Sequence, residues 1–353
     1  MSLRIGVNIH NKARGGQDRS AEEKIYLPQF LRQLNPSAIV VMDDLPLAEA
    51  LHTMLTNTIV IYRQYSEAEG HMFKAVPSPA DYVQRQRGLL KPGMPLYVMN
   101  EWDSKAGIEQ LSAGAKWMAG VMDVLAVTGD VAVIDNEGPG QPDYAWFTDN
   151  AKWEAVKPLF DAFKRHPQMY WGLHPYWGSM GLRPEDGQSA RHRDIERLLK
   201  ARGYSMPNVI FTELGRDTYG GGKANGWRST GISEEQFAAE IIQARNTLWT
   251  EPYIRGACVY CYGATTERWR AFDVEPAKIL HTALIGANAV SIPTPPTPEP
   301  EPPIVEVPKP TPAEKTLTKV SACREAIAIH EAAILALEAE IDHLLAPYKA
   351  KSA

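Results

Sequence analysis

Two glutamates stand where a carboxylate can do chemistry. The runs Val98-Met99-Asn100-Glu101 and Val209-Ile210-Phe211-Thr212-Glu213 are apolar and strand-like, and each ends on a glutamate. A parallel strand of a (β/α)8 barrel delivers its C-terminal residues to the site, so each run would place its acid at one barrel mouth. Two carboxylates facing each other there are the minimum equipment for cleaving a glycosidic bond, one protonating the leaving oxygen and the other attacking or activating water. Other polar groups fall at the ends of similar runs. They are Asn8 and His10, Asp43 and Asp44, Arg63, Asp135 and Glu137, His174 and Tyr176, and Tyr260 and Tyr262. Trp102, Trp146, Trp177, Trp227 and Trp269 stand in the loops beyond. Aromatic faces beside hydrogen-bonding groups suit the C–H faces and hydroxyl edges of sugars.

The elements that would position these groups are legible as a repeating pattern. Eight β-type runs are expected at Arg4–His10, Ala38–Asp43, Thr58–Arg63, Leu96–Asn100, Val131–Asp135, Met169–His174, Asn208–Glu213 and Gly256–Tyr262. Most are continuous apolar runs, as parallel strands covered on both faces require. Helical patterns fill the intervals at Ala21–Leu34, Ala106–Leu125, Ala151–Arg165, Ala190–Ala201 and Ser233–Trp249, the last opening on Ser233 with Gln236 in the capping-box position. Eight β/α units in residues 1–290 predict one (β/α)8 TIM barrel. A doubly wound sheet would carry a Gly-rich turn after its first strand, and Asn8-Ile9-His10-Asn11-Lys12 is not one.

On these residues the chain resembles the glycoside hydrolases of clan A, the retaining (β/α)8-barrel glycosidases. There an Asn-Glu pair ends the fourth strand and a glutamate ends the seventh, as Asn100-Glu101 and Glu213 do here. His174-Pro175-Tyr176 is similar to the clan's sixth strand, whose tyrosine commonly touches the nucleophile. The resemblance implies double displacement on a β-linked oligo- or polysaccharide. Glu101 would be the acid/base and Glu213 the nucleophile, with Asn100 on the sugar 2-hydroxyl. Asp43, Arg63, Glu137, His174, Tyr176, Trp102, Trp177, Trp227 and Tyr262 are the expected substrate-binding set, with no cofactor and no metal. One departure stands out: Tyr260-Cys261-Tyr262 occupies the eighth strand, where the clan usually places a tryptophan.

Other chemistries are weaker. Glu137 is the rival carboxylate, able to replace Glu101, bind sugar hydroxyls or neutralise Arg63. A metal-dependent hydrolase would have to use His10, His174 and Asp43, a thin ligand set. Gly220-Gly221-Gly222-Lys223 lacks the rest of a phosphate loop and reads as a loop over the site. Cys258 and Cys261, three apart on a strand, point to opposite faces and make neither a redox pair nor a zinc site. A net charge of −5 offers no attraction to nucleic acid or an anionic membrane. Residues Met1 to Val7 lack the apolar core of a secretory leader.

The composition changes at residue 291. Ile292 to Pro312 holds ten prolines, an extended spacer able to span on the order of 60 Å. Beyond it, Val320, Ile327, Ile334 and Ile341 repeat every seven residues, and Cys323, His330, Leu337 and Leu344 follow each by three. This heptad pattern predicts an oligomerising coiled coil, dimeric or trimeric, over residues 313–348. The expectation is a glycosidase, cytoplasmic or released with a phage. Its rival is a non-catalytic carbohydrate-binding barrel displayed on an oligomeric stalk.

Overall fold

The computed structural model describes residues 3–12, 19–88, 90–102, 107–138, 141–178, 181–182, 189–217, 226–264 and 266–289. The proline-rich spacer, the heptad segment and the Gly220–Lys223 loop lie outside the described residues.

Among the described residues nine strands form: β1 (Ile5–His10), β2 (Ala38–Met42), β3 (Ile59–Arg63), β4 (Leu96–Asn100), β5 (Ala132–Glu137), β6 (Tyr170–Leu173), β7 (Tyr176–Trp177), β8 (Asn208–Arg216) and β9 (Ile254–Tyr262). All but β7 make a parallel barrel wall. It runs from β1 to β6 in order and closes through β6–β8, β8–β9 and β9–β1. Closure removes the open-sheet alternative. The unexpected β7 is a two-residue strand that pairs with the end of β8, Tyr176 opposite Gly215 and Trp177 opposite Arg216.

Side-chain alternation divides the core in two. Ala38, Val40, Ile61, Tyr97, Val133, Ile210 and Cys258 pack together inside the barrel. Ile39, Val41, Val60, Val98, Ile134, Trp171, Phe211 and Val259 face outward and join the helices in the main core. Cys261 falls in a third cluster with Tyr176, Tyr260 and Phe272, so the two cysteines are separated as expected. Burial pushes both thiols up.

The helices begin where the local chemistry says they should. Ser20 and Glu23 form a reciprocal capping box ahead of Ala21–Leu34, and Ser233 accepts from the Gln236 amide ahead of Glu234–Thr247. Helices Leu45–Met54 and Pro79–Arg87, absent from the expected list, start on Asp44 and Ser78 caps with proline in the first turn. The expected run from Ala106 is helical over Ile108–Thr128. At the end of the barrel unit, helix Lys278–Ala289 is tied to the first strand by Asn288. Its Oδ1 accepts from the Ile5 amide, and its Nδ2 donates to the carbonyls of Ile5 and Leu34.

Candidate active site

Glu213 sits near the end of β8 with both carboxylate oxygens engaged. Arg63, the last residue of β3, donates from Nη1 to Oε1 at 2.6 Å, and the Tyr176 hydroxyl donates to Oε2 at 3.0 Å. Arg63 is itself clamped by Glu69, which accepts from Nε and Nη2 at 3.1 and 3.0 Å. Its guanidinium lies 5.0 Å from the centre of the Tyr97 ring. Burial opposes the Arg63 charge, but Tyr97, Glu69 and Glu213 together hold its pKa well above the usual guanidinium value. Burial, then the Glu213 charge, pushes the Tyr176 hydroxyl well up, so it stays a donor. The two donors fix the direction in which the Glu213 side chain points.

Glu101 follows β4 with a left-handed backbone (φ 45°) and a side chain 49% exposed. Its carboxylate lies against Gly138, where an added Cβ would come within 3.2 Å of Oε1. One oxygen of Glu101, one of Glu213 and a ring nitrogen of His174 all lie within 4.8 Å of one another. Separations near 5 Å belong to a nucleophile and acid/base pair, whereas a water-activating pair needs about 6.5–9.5 Å. Beside Glu101, Asn100 accepts at Oδ1 from the Tyr97 hydroxyl at 2.6 Å, which leaves its amide N–H groups as the donors.

Glu101, His174 and Glu213 also have the spacing of cation ligands, and no other such group occurs among the described residues. A cation there would share Glu213 with a guanidinium 2.6 Å away, and that repulsion favours the carboxylate pair without a metal. His10 takes no part in such a group. Burial, then the charges of Arg63 and Arg19, lowers its pKa to about 3, and it packs edge-on to Tyr260 with ring centres 5.0 Å apart.

Several expected ligand-binding residues stand elsewhere. Trp102 is buried between Phe73 and Trp146, and Trp177 is fully buried with its N–H spent on Glu240. Trp227 stacks on Phe237 and donates to the Phe272 carbonyl. These rings belong to the core, not to an open sugar platform. Tyr262 likewise stacks between Phe30 and His281. A register shift in β9 sets Tyr260 opposite Asn8 but Tyr262 opposite Ile9, and it is Tyr260 whose surroundings include Glu213, Arg63 and Glu101. Asp43 donates its backbone N–H to the Arg63 carbonyl, and its Oδ1 accepts from the Tyr65 amide.

Glu137 does not neutralise Arg63. It is fully buried beside Asp135, whose Oδ2 accepts from the Trp171 indole. Burial, then the Asp135 charge, pushes Glu137 well above the carboxylate range, and burial raises Asp135 to about 7. Glu69, Tyr97, Asn136 and Thr212 are residues around the candidate site that sequence reasoning missed, and Tyr260 was placed at its strand end but left out of the expected binding set. Thr212 carried a usable signal, being two residues past the inward-facing Ile210. Glu69 carried none, since a loop brings it back to Arg63.

No family model and no curated protein matches the chain. Among solved structures, it is similar to a β-mannanase from Thermomonospora fusca at 12% identity and a TM-score of 0.45, over 77% of this chain and 83% of that one. It is also similar to the mannanase catalytic domain from Streptomyces sp. SirexAA-E, at 13% identity and a TM-score of 0.43, over 77% and 79%. An endo-laminarinase from Formosa Hel1_33_131 aligns at 14% identity and a TM-score of 0.46, over 77% and 82%.

Proposed function

We propose that the chain is a retaining glycoside hydrolase of clan A acting on a β-linked glycan. The observation that carries this reading is the approach of Glu101 and Glu213 to within 4.8 Å, with Glu213 held by Arg63 and Tyr176. Glu213 attacks the anomeric carbon while Glu101 gives its proton to the leaving oxygen. Glu101 then takes a proton from water as that water displaces Glu213. Asn100 holds the sugar 2-hydroxyl, and Tyr260 takes the place of a tryptophan in lining the sugar position. The heptad segment brings two or three barrels onto one polymer, where multivalency holds the substrate.

The test is hydrolysis of β-linked polysaccharides, cell-wall peptidoglycan and aryl glycosides by the native chain and by Glu213→Gln. Reducing ends released by the first and not by the second support the mechanism, and chelators should leave the rate unchanged. Sugar binding without hydrolysis on the whole panel favours the displayed carbohydrate-binding barrel instead. Loss of activity on chelation restores the metal reading.

A further inference from the structure

His174 has one ring nitrogen at the carboxylates and the other in a buried hydrogen-bond chain that passes over β6 from β8 to β5. Nδ1 lies 3.5 Å from Glu101 Oε1 and 3.8 Å from Glu213 Oε2. Nε2 lies 3.1 Å from Thr212 Oγ1, and Thr212 Oγ1 lies 3.0 Å from Asn136 Oδ1. Thr212 and Asn136 are essentially inaccessible, at 0% and 1% exposure.

The direction of every bond in this chain can be worked out from its far end. Asn136 Nδ2 faces three backbone carbonyls, those of Met99 at 2.8 Å, Val98 at 3.2 Å and Val133 at 3.4 Å. A flipped amide would set oxygen against three oxygens, so Oδ1 must be the atom turned to Thr212. Two oxygens 3.0 Å apart need a proton between them, and only Thr212 has one to give. With its single hydrogen spent on Asn136, Thr212 can only accept from His174, so Nε2 carries a hydrogen. Nδ1 then faces the two carboxylates, 3.5 Å from the nearer oxygen.

The room for this chain is provided by Gly172 on β6. A Cβ there would come within 2.5 Å of Asn136 Cγ, and closer still to Oδ1. Glu213 already accepts from Arg63 and Tyr176, one at each oxygen, so Glu101 is the neighbour placed to donate a proton toward Nδ1.

We propose that Asn136 and Thr212 are positioning residues that lock His174 in its Nε2–H form, so that Nδ1 holds and aims the proton Glu101 delivers. When the glycosidic C–O bond breaks, that proton moves from the Glu101 oxygen to the leaving oxygen. Glu101 becomes the carboxylate, and the next substrate water restores its proton. The roles of Glu101 and Glu213 rest on the function proposed above, whereas the lock is a property of the folded chain and is measured without substrate.

The test is ¹⁵N spectroscopy of the histidine rings in the full chain, with His174 assigned by its loss in His174→Gln. The expected native signal at neutral pH is a protonated Nε2 and an unprotonated Nδ1. Thr212→Val, which removes the hydroxyl at constant shape, should populate the other tautomer, while Thr212→Ser restores the native one. On substrates with poor leaving groups Thr212→Val should lower kcat about 10- to 100-fold with KM nearly constant. On aryl glycosides whose leaving groups need little protonation the loss should be much smaller. A native Nδ1–H tautomer, or a kcat loss indifferent to the leaving group, overturns the proposal. A native Nε2–H signal from a chain that hydrolyses no glycan keeps the lock and removes the glycosidase reading.

Discussion

Arg63 bridges two buried carboxylates, and its planar fork decides how well. It gives Glu69 two parallel bonds and still reaches Glu213 with the remaining amine. Lysine keeps the charge but offers one point where three directed bonds are needed. Arg63→Lys should therefore lower kcat/KM about 100-fold or more while the barrel still folds, as steady-state kinetics beside circular dichroism would register. Tyr176→Phe removes one neutral donor from Glu213 and should cost about tenfold in kcat, the worth of one hydrogen bond to a charged group.

At the scale of elements, two strands re-aim their last residues by local kinks. Asp135 on β5 and Met99 on β4 both adopt φ of 58°, outside the regions L-residues favour. On β5 this turns Asn136 to the hydrogen-bond chain inside the barrel and puts Asp135 against the outward-facing Trp171. The Asp135–Glu137 pair has a pH consequence. Asp135 keeps its proton up to about 7 in the folded chain, whereas an unfolded aspartate releases it near 3.8. The stability this group provides is thus fully present below about pH 4 and is lost as pH rises to about 7. Asp135→Asn should flatten that part of the pH profile, so its Tm relative to native rises from pH 4 to pH 7. An unchanged difference would refute it. Helix Ile108–Thr128 makes a second test. Gly114→Ala gains about 1 kcal/mol of helix propensity, but its Cβ would stand within 2.7 Å of the rigid Trp102 indole. The clash should win by about 1–2 kcal/mol in thermal or denaturant unfolding.

Across the molecule, the barrel depends on joining its first strand to its last helix. Asn288 accepts from one buried backbone amide and donates to two backbone carbonyls, those of Ile5 and Leu34. Asn288→Ala should cost about 2–4 kcal/mol in denaturant unfolding, more than its small change in volume implies. For the heptad segment, light scattering on the full chain and on a chain ending at residue 312 should give an oligomer and a monomer, respectively. A monomer in both would remove the multivalent arrangement.

How much of this was legible beforehand follows from which forces act locally. Apolar runs, cap residues and their spacing are properties of neighbouring residues, and they determined the eight strands, the helix between Ser20 and Asn35, and the barrel itself. Glu101, Glu213, His174 and Tyr176 were also legible, because a strand's last residues must stand at the barrel mouth. Tertiary structure decided everything that depends on kinks or on packing from another element. A register shift in β9 separates the surroundings of Tyr260 and Tyr262, and a left-handed residue sends Asn136 inward in place of Asp135. A loop carries Glu69 back to Arg63, and helices close over Trp102, Trp177 and Trp227. No periodicity encodes those outcomes, since each is set by contacts between residues far apart along the chain.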